Sequence, residues 1–171
     1  MLGSIIGAMS TLQRTGARIR RGLAYSAVLA AAVVDGQRRR FMQEALALAR
    51  ELPGRLEQPL PAALHALTPQ ATAQPLDHET VRQIVDALTA FGAGRPLGIC
   101  LRRSLLRYYF LRRAGLPLVV HFGARRLETD IAGHAWLTLE GKPYHERPEH
   151  YQGFTVMWSF PGDHQGQTGD G

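Results

Sequence analysis

Cysteine performs nucleophilic chemistry when an imidazole takes its proton, and this 171-residue sequence holds a single cysteine, Cys100. Cys100 follows Pro96-Leu97-Gly98-Ile99 and stands at the foot of a helical pattern. A thiol there meets the positive end of the helix dipole, which stabilises the thiolate. Arg102 and Arg103 push the same way. His134 supplies the matching base. It opens a strand pattern in which Ala135, Leu137 and Leu139 take one face and His134, Trp136 and Thr138 the other. An imidazole on the face opposite the aliphatic stripe is free to meet a group from another element. Taken singly, the cysteine reads as a small buried hydrophobe and the histidine as a structural one. Taken together they predict a nucleophile and its general base.

Such a pair needs a third group, usually a carboxylate or an amide, to orient the imidazole. Hairpin register decides which one is in reach. A three-residue loop, Leu139-Glu140-Gly141, places His134 opposite Glu146, and this is the preferred reading. A two-residue Gly141-Lys142 turn places it opposite Glu149 instead. A two-residue Glu140-Gly141 turn pairs it with Arg147, which could not orient an imidazole. Asp130 is a weaker fallback, close in sequence to His134. For the oxyanion of an acyl intermediate, the backbone N–H of Cys100 is the natural first donor; no Gln or Asn lies just upstream to serve as the second.

The elements that must position these groups fall in a simple order. Residues 1–22 read as a weak amphipathic start, and Leu23 to Val34, apolar on every side, as a buried helix ending at Asp35-Gly36. Phe41 to Leu52 follows at helical spacing, stopped by Pro53-Gly54. Pro59 to Pro75, with four prolines, reads as a linker or irregular connection. Asp77 caps a helix whose core face is Val81, Ile84, Val85 and Leu88. Leu101 to Ala114 is a strong helix closed by Gly115 and Pro117. Strands are expected at Leu118–Phe122, Gly133–Glu140, Pro143–Glu146 and Thr155–Phe160. The result is an α+β fold: a helical N-terminal region and connection over 1–75, a catalytic core over 76–160, and a disordered tail over 161–171.

The run CLRRSLLRYYFLRRAGLP from Cys100, then GHAWLTLEGKP, then a carboxylate twelve residues after the histidine, resembles the B proteins of lasso-peptide biosynthesis, in their transglutaminase-like peptidase half. The likeness covers roughly residues 95–150. It implies a papain- or transglutaminase-like core in which Cys100 is nucleophile, His134 general base and acid, and Glu146 the orienting carboxylate, where the family usually has Asp. It also implies a function: removing the leader from a ribosomally made precursor before a separate ATP-dependent cyclase closes the macrolactam. No small winged-helix module is recognisable in residues 1–90, so a separate leader-recognition protein is the expected partner.

Composition is compatible with this. A hydrophobic share of 45% excludes a wholly disordered chain, and a net charge of +6 favours an acidic partner such as an acidic leader peptide. One cysteine excludes an intrachain disulfide and fits a reducing, cytoplasmic setting. The apolar N-terminal patches are too short for a membrane span, which needs about 20 residues. Arg102, Arg103, Arg107, Arg112 and Arg113 read as a basic helix face, solvated or docking peptide; no nucleic-acid module accompanies them. His145, Glu146 and His150 lack metal-site spacing, so no metal or cofactor is expected. Two other readings stay open on the same residues: acyl transfer to an amine, and a non-catalytic peptide-binding module.

Overall fold

A computed structural model describes residues 2–73 and 75–162, with side chains from residue 15 onward. The expected disordered tail lies, from residue 163 on, outside the described residues. Among the described residues six helices and four strands follow in chain order: α1 (Leu2–Val34), α2 (Gly36–Arg55), α3 (Leu60–Ala66), α4 (His78–Ala90), α5 (Ile99–Arg113), β1 (Leu118–Arg126), β2 (Ile131–Leu139), β3 (Lys142–Pro143), α6 (Pro148–Tyr151) and β4 (Thr155–Phe160). The strands form one antiparallel sheet in the order β3-β2-β1-β4. Helices α1 to α5 precede the sheet, α6 lies between β3 and β4, and the fold is α+β with a papain-like core behind a helical N-terminal region.

The core is where the periodicities place it. Val81, Ile84, Val85 and Leu88 of α4 are buried, and Asp77 caps that helix by accepting from Thr80 N at 2.9 Å. Phe41, Ala45, Leu48, Ala49 and Leu52 of α2 meet them, with Leu105, Leu106, Tyr108, Phe110 and Leu111 of α5 and Leu118, Val120 and Leu137 of the sheet. The apolar cluster thus draws on residues from both sides of position 75.

Four expectations are corrected. The stretch from Pro59 to Pro75 is not wholly irregular: Pro59 precedes α3, which starts with Leu60-Pro61 and buries Ala63 and Leu64, Pro61 being harmless in a first turn that lacks an N–H partner anyway. Pro53 does not stop α2, which runs one turn further to Arg55. Leu23–Val34 is helical but not buried. Only Ala32 is enclosed, while Leu23 and Val34 are 66% and 85% exposed. Small alanines satisfy a hydrophobic pattern without requiring a second layer of protein over them.

The fourth correction is the arginine face of α5, which turns inward. Arg102 and Arg107 are each 6% exposed. Arg107 Nε and Nη2 donate to the two carboxylate oxygens of Asp86 at 2.7 and 2.6 Å, and Arg82 Nη1 donates to Oδ2 at 2.6 Å. Arg102 donates to the carbonyls of Thr89 and Leu97 at 2.7 and 2.9 Å, so a guanidinium closes the negative C-terminal end of α4. These contacts lock α4 and the 91–98 connection to the first turn of α5, the turn that carries Cys100.

Candidate active site

Three local features bring Cys100, His134 and Glu146 together. The first is the length of β3. It pairs only Thr138 with Pro143 and Leu139 with Lys142, which leaves the edge of β2 open further back. The first turns of α5 fill that gap: Ser104 Oγ donates to Ala135 O at 2.9 Å, and the Ala135 N–H on the same edge helps to lower the pKa of the Cys100 thiol. A side chain on the helix therefore meets the strand that carries His134.

The second feature is the turn. The pairing observed is the two-residue Glu140-Gly141 turn, with both residues at positive φ (51° and 76°). The three-residue loop is thus corrected. Continued as a regular ladder, this register would set Arg147 against His134. The third feature prevents that. The ladder stops at Pro143, with a last bond from Tyr144 N to Leu137 O at 2.8 Å, and His145 takes a left-handed conformation at φ 49°. The chain is re-aimed, and the Glu146 carboxylate comes to 3.5 Å from His134 Nε2. The expected proximity exists, by a different route. Pro148 then starts the one-turn α6 rather than interrupting a helix.

The electrostatics follow from these contacts. Hydrogen bonding to His134 pulls the Cys100 thiol below its ordinary range; burial opposes this, and the Ala135 and Leu101 N–H groups add to the lowering. The same bond to Cys100, followed by Glu146, carries the His134 imidazole up to about 9. Burial works against ionisation of Glu146, but His134 and His150 outweigh it and hold the carboxyl below its usual value. His134 Nε2 is buried and has no closed hydrogen bond among the described residues. Its 3.5 Å approach to Glu146 Oε1 is an ion-pair contact, and that oxygen also receives His150 Nδ1 at 2.8 Å. The arrangement favours a thiolate beside an imidazolium.

Aromatic rings fix the imidazole plane. Trp136, 5% exposed, lies nearly parallel to His134 with centroids 5.8 Å apart, and Phe154 covers it at 5.3 Å. His121 stacks on Trp136 from the other side, its ring nitrogens held by Ser159 Oγ and Thr138 Oγ1 at 2.7 and 2.8 Å. Burial lowers the His121 pKa. Trp136 packs rather than walls open space. Its ring lies over Gly123, where a methyl group would come within 2.8 Å of it and 3.0 Å of Thr155 O. Gly123→Ala should therefore destabilise by roughly 1–3 kcal/mol and slow alkylation of Cys100. Thermal melts and iodoacetamide kinetics measure both, and an unchanged melt would contradict this packing.

Sequence reasoning missed two groups here. The Ala135 N–H is a site group only because β3 is short, which no composition signal announces. His150 was set aside with the metal reading, though its spacing from Glu146 fits a contact across a turn.

A family model described as the transglutaminase-like superfamily matches residues 42–159, well over half of the chain, and the protein belongs to that superfamily. The match opens inside α2 and closes in β4, so it spans the core and the site. Searches among curated proteins and among solved structures return no significant match.

Proposed function

We propose that the chain is a cysteine peptidase that removes the leader of a ribosomally made lasso-peptide precursor, with Cys100 as nucleophile, His134 as general base and acid, and Glu146 as the orienting carboxylate. The convergence on His134 of Glu146, at 3.5 Å, and of Cys100, whose side chain raises the imidazole pKa, supports this reading. The superfamily supports acyl chemistry at cysteine; the lasso assignment rests on the motif resemblance from Cys100 to Pro143.

The Cys100 thiolate attacks the scissile carbonyl carbon, and its oxygen takes the negative charge, facing the Cys100 N–H at the helix start. The C–N bond breaks as the His134 imidazolium gives its proton to the departing amine, the N-terminus of the core peptide. Water then attacks the thioester, His134 accepts its proton, and the leader leaves as a carboxylate with the thiolate restored. The freed core amine is what an ATP-dependent cyclase would join to an acidic side chain, after a separate leader-recognition protein has presented the substrate. Among the described residues no helix is long and apolar enough to cross a membrane.

The superfamily also accommodates an amine in place of water at the second step, which product mass distinguishes. A binding module without chemistry is tested by iodoacetamide at pH 6. Activated Cys100 should react faster than a model thiol, and a model-like rate would remove the enzymatic reading.

The pH profile has a definite sign. Activity requires thiolate and imidazolium together. It should rise with pH as the lowered Cys100 thiol ionises, and fall as pH passes about 9, where His134 loses its proton. The two limbs belong to the coupled pair rather than to either residue. A kcat/KM profile on a neutral peptide that still climbs at pH 10 would refute the ion pair.

A further inference from the structure

Beside the candidate site lies a second feature that the proposed chemistry does not use. A cleft of about 460 Å³ opens between α1, α4, α5 and the 145–150 loop, and five arginines line it: Arg21, Arg82, Arg103, Arg107 and Arg147. Its lining carboxylates are Asp86 and Glu146. Asp86 is committed to Arg82 and Arg107, with Arg103 Nε 3.6 Å away. Arg82 is further engaged by Glu79, and Arg147 lies 3.7 Å from Glu149. Glu146 faces His134 and His150. Asp86 and Glu79 together offset two of the three guanidinium groups of Arg82, Arg103 and Arg107, and Glu149 faces Arg147, so the remaining positive charge is that of the third guanidinium and of Arg21 at the rim. His145 and His150 also line the wall and bring no negative charge.

We propose that this cleft binds a carboxylate side chain of the peptide whose backbone lies at Cys100. This rests on the peptide-cleaving reading and names a recognition subsite for it. Arginine forks suit a carboxylate by paired, parallel hydrogen bonds. Distance sets where the acidic residue sits. Arg103 and Arg107 lie three and seven residues beyond Cys100 on α5, about 4.5 and 10.5 Å along the axis at 1.5 Å per residue. Extended peptide advances roughly 3.3 Å per residue, so the recognised Asp or Glu lies about one to three residues from the carbonyl held at Cys100. Glu146 borders both places, so an acid in the cleft and the imidazole share one wall.

The test separates binding from chemistry. Cys100→Ala protein is titrated into a fluorescein-labelled peptide rich in glutamate, and into its glutamine counterpart, with anisotropy as readout. The glutamate peptide should bind at least about tenfold more tightly, with affinity falling as salt rises. Arg21→Gln with Arg147→Gln, rim changes that leave the Asp86 contacts intact, should erase that preference. The charge-matched control Arg39→Gln with Arg50→Gln should keep it. Equal affinity for the two peptides, or a preference that survives the rim variant or disappears in the control, overturns the subsite. Inorganic phosphate that binds while neither peptide does would make it a small-anion site and overturn the peptide assignment. None of these readouts needs cleavage, so a failure of the peptidase reading is seen separately, as intact precursor with the wild-type protein.

Discussion

Cys100→Ala should abolish the proposed leader removal, a loss of about ten-thousand-fold or more, and leave the melting temperature within a few degrees of wild type. The size follows from the role: without sulfur there is no acyl intermediate, and only positioning and oxyanion contacts remain. The intact fold follows from place. Cys100 is half-buried at the N-terminal turn of α5, and alanine keeps the helix while deleting one atom from a partly open site. His134→Ala should cost nearly as much activity, since the thiol then reverts toward its ordinary range and the departing amine has no proton donor. Glu146→Gln should cost less. Its contact with Nε2 is 3.5 Å, the ring is also held by Trp136 and Phe154, and the stronger cause of the raised His134 pKa is Cys100. The double variant Cys100→Ala/His134→Ala should be no worse than either single change, because the two act as a unit. Mass spectrometry of a precursor peptide incubated with each variant, with the proposed leader-recognition partner supplied, reads all of this. Wild-type processing by Cys100→Ala would dispose of the mechanism.

How much of this was legible in the residues depends on range. Local chemistry reads well: Asp77 caps α4 as its type and position require, and the apolar spacing of α4 matches its buried set. The sheet comes through as four strands, yet the third is Lys142–Pro143 in place of the expected Pro143–Glu146, and the hairpin that carries His134 turns more tightly than its residues suggest. Glu at the first position of a tight turn must adopt positive φ, which glycine tolerates and glutamate resists, so the sequence favoured a longer loop. The actual two-residue turn is rescued by events further on, a ladder that ends at Pro143 and a reversal at His145, and neither leaves a mark in periodicity. Arg102 and Arg107 illustrate the opposite difficulty. A run of arginines looks like a solvated face until its counter-ion is found, and Asp86 belongs to another helix. The available signal was Asp86 itself, one carboxylate set among Val81, Ile84, Val85 and Leu88 on an apolar stripe.

That carboxylate should be the most sensitive single position for stability. Asp86 is 3% exposed and Arg107 6%, so their charges are shielded from water, and Arg82 completes the carboxylate's partners at 2.6 Å. Replacing a buried pair by apolar groups of matching shape can be neutral, but deleting one partner strands the other charge. Asp86→Ala strands Arg107 between α4 and α5 and should destabilise by about 3–5 kcal/mol, lowering the melting temperature by roughly 10 °C or more for a chain of this length. The surface pair Arg55–Glu51, whose side chains are 41% and 54% exposed, supplies the contrast: Glu51→Ala should cost under about 1 kcal/mol. Asp86→Asn keeps the shape and some acceptor capacity and should fall between the two. The effect reaches the candidate site as well, because α4 is what holds the first turns of α5 against the open edge of β2. Alkylation of Cys100 in Asp86→Asn, at a temperature where that protein is folded, should therefore slow even though Asp86 touches neither sulfur nor imidazole. Urea melts of the three variants give the stabilities, and an Asp86→Ala protein that unfolds at the wild-type midpoint would mean that the arginines find other partners and that this network does not set the position of the cysteine helix.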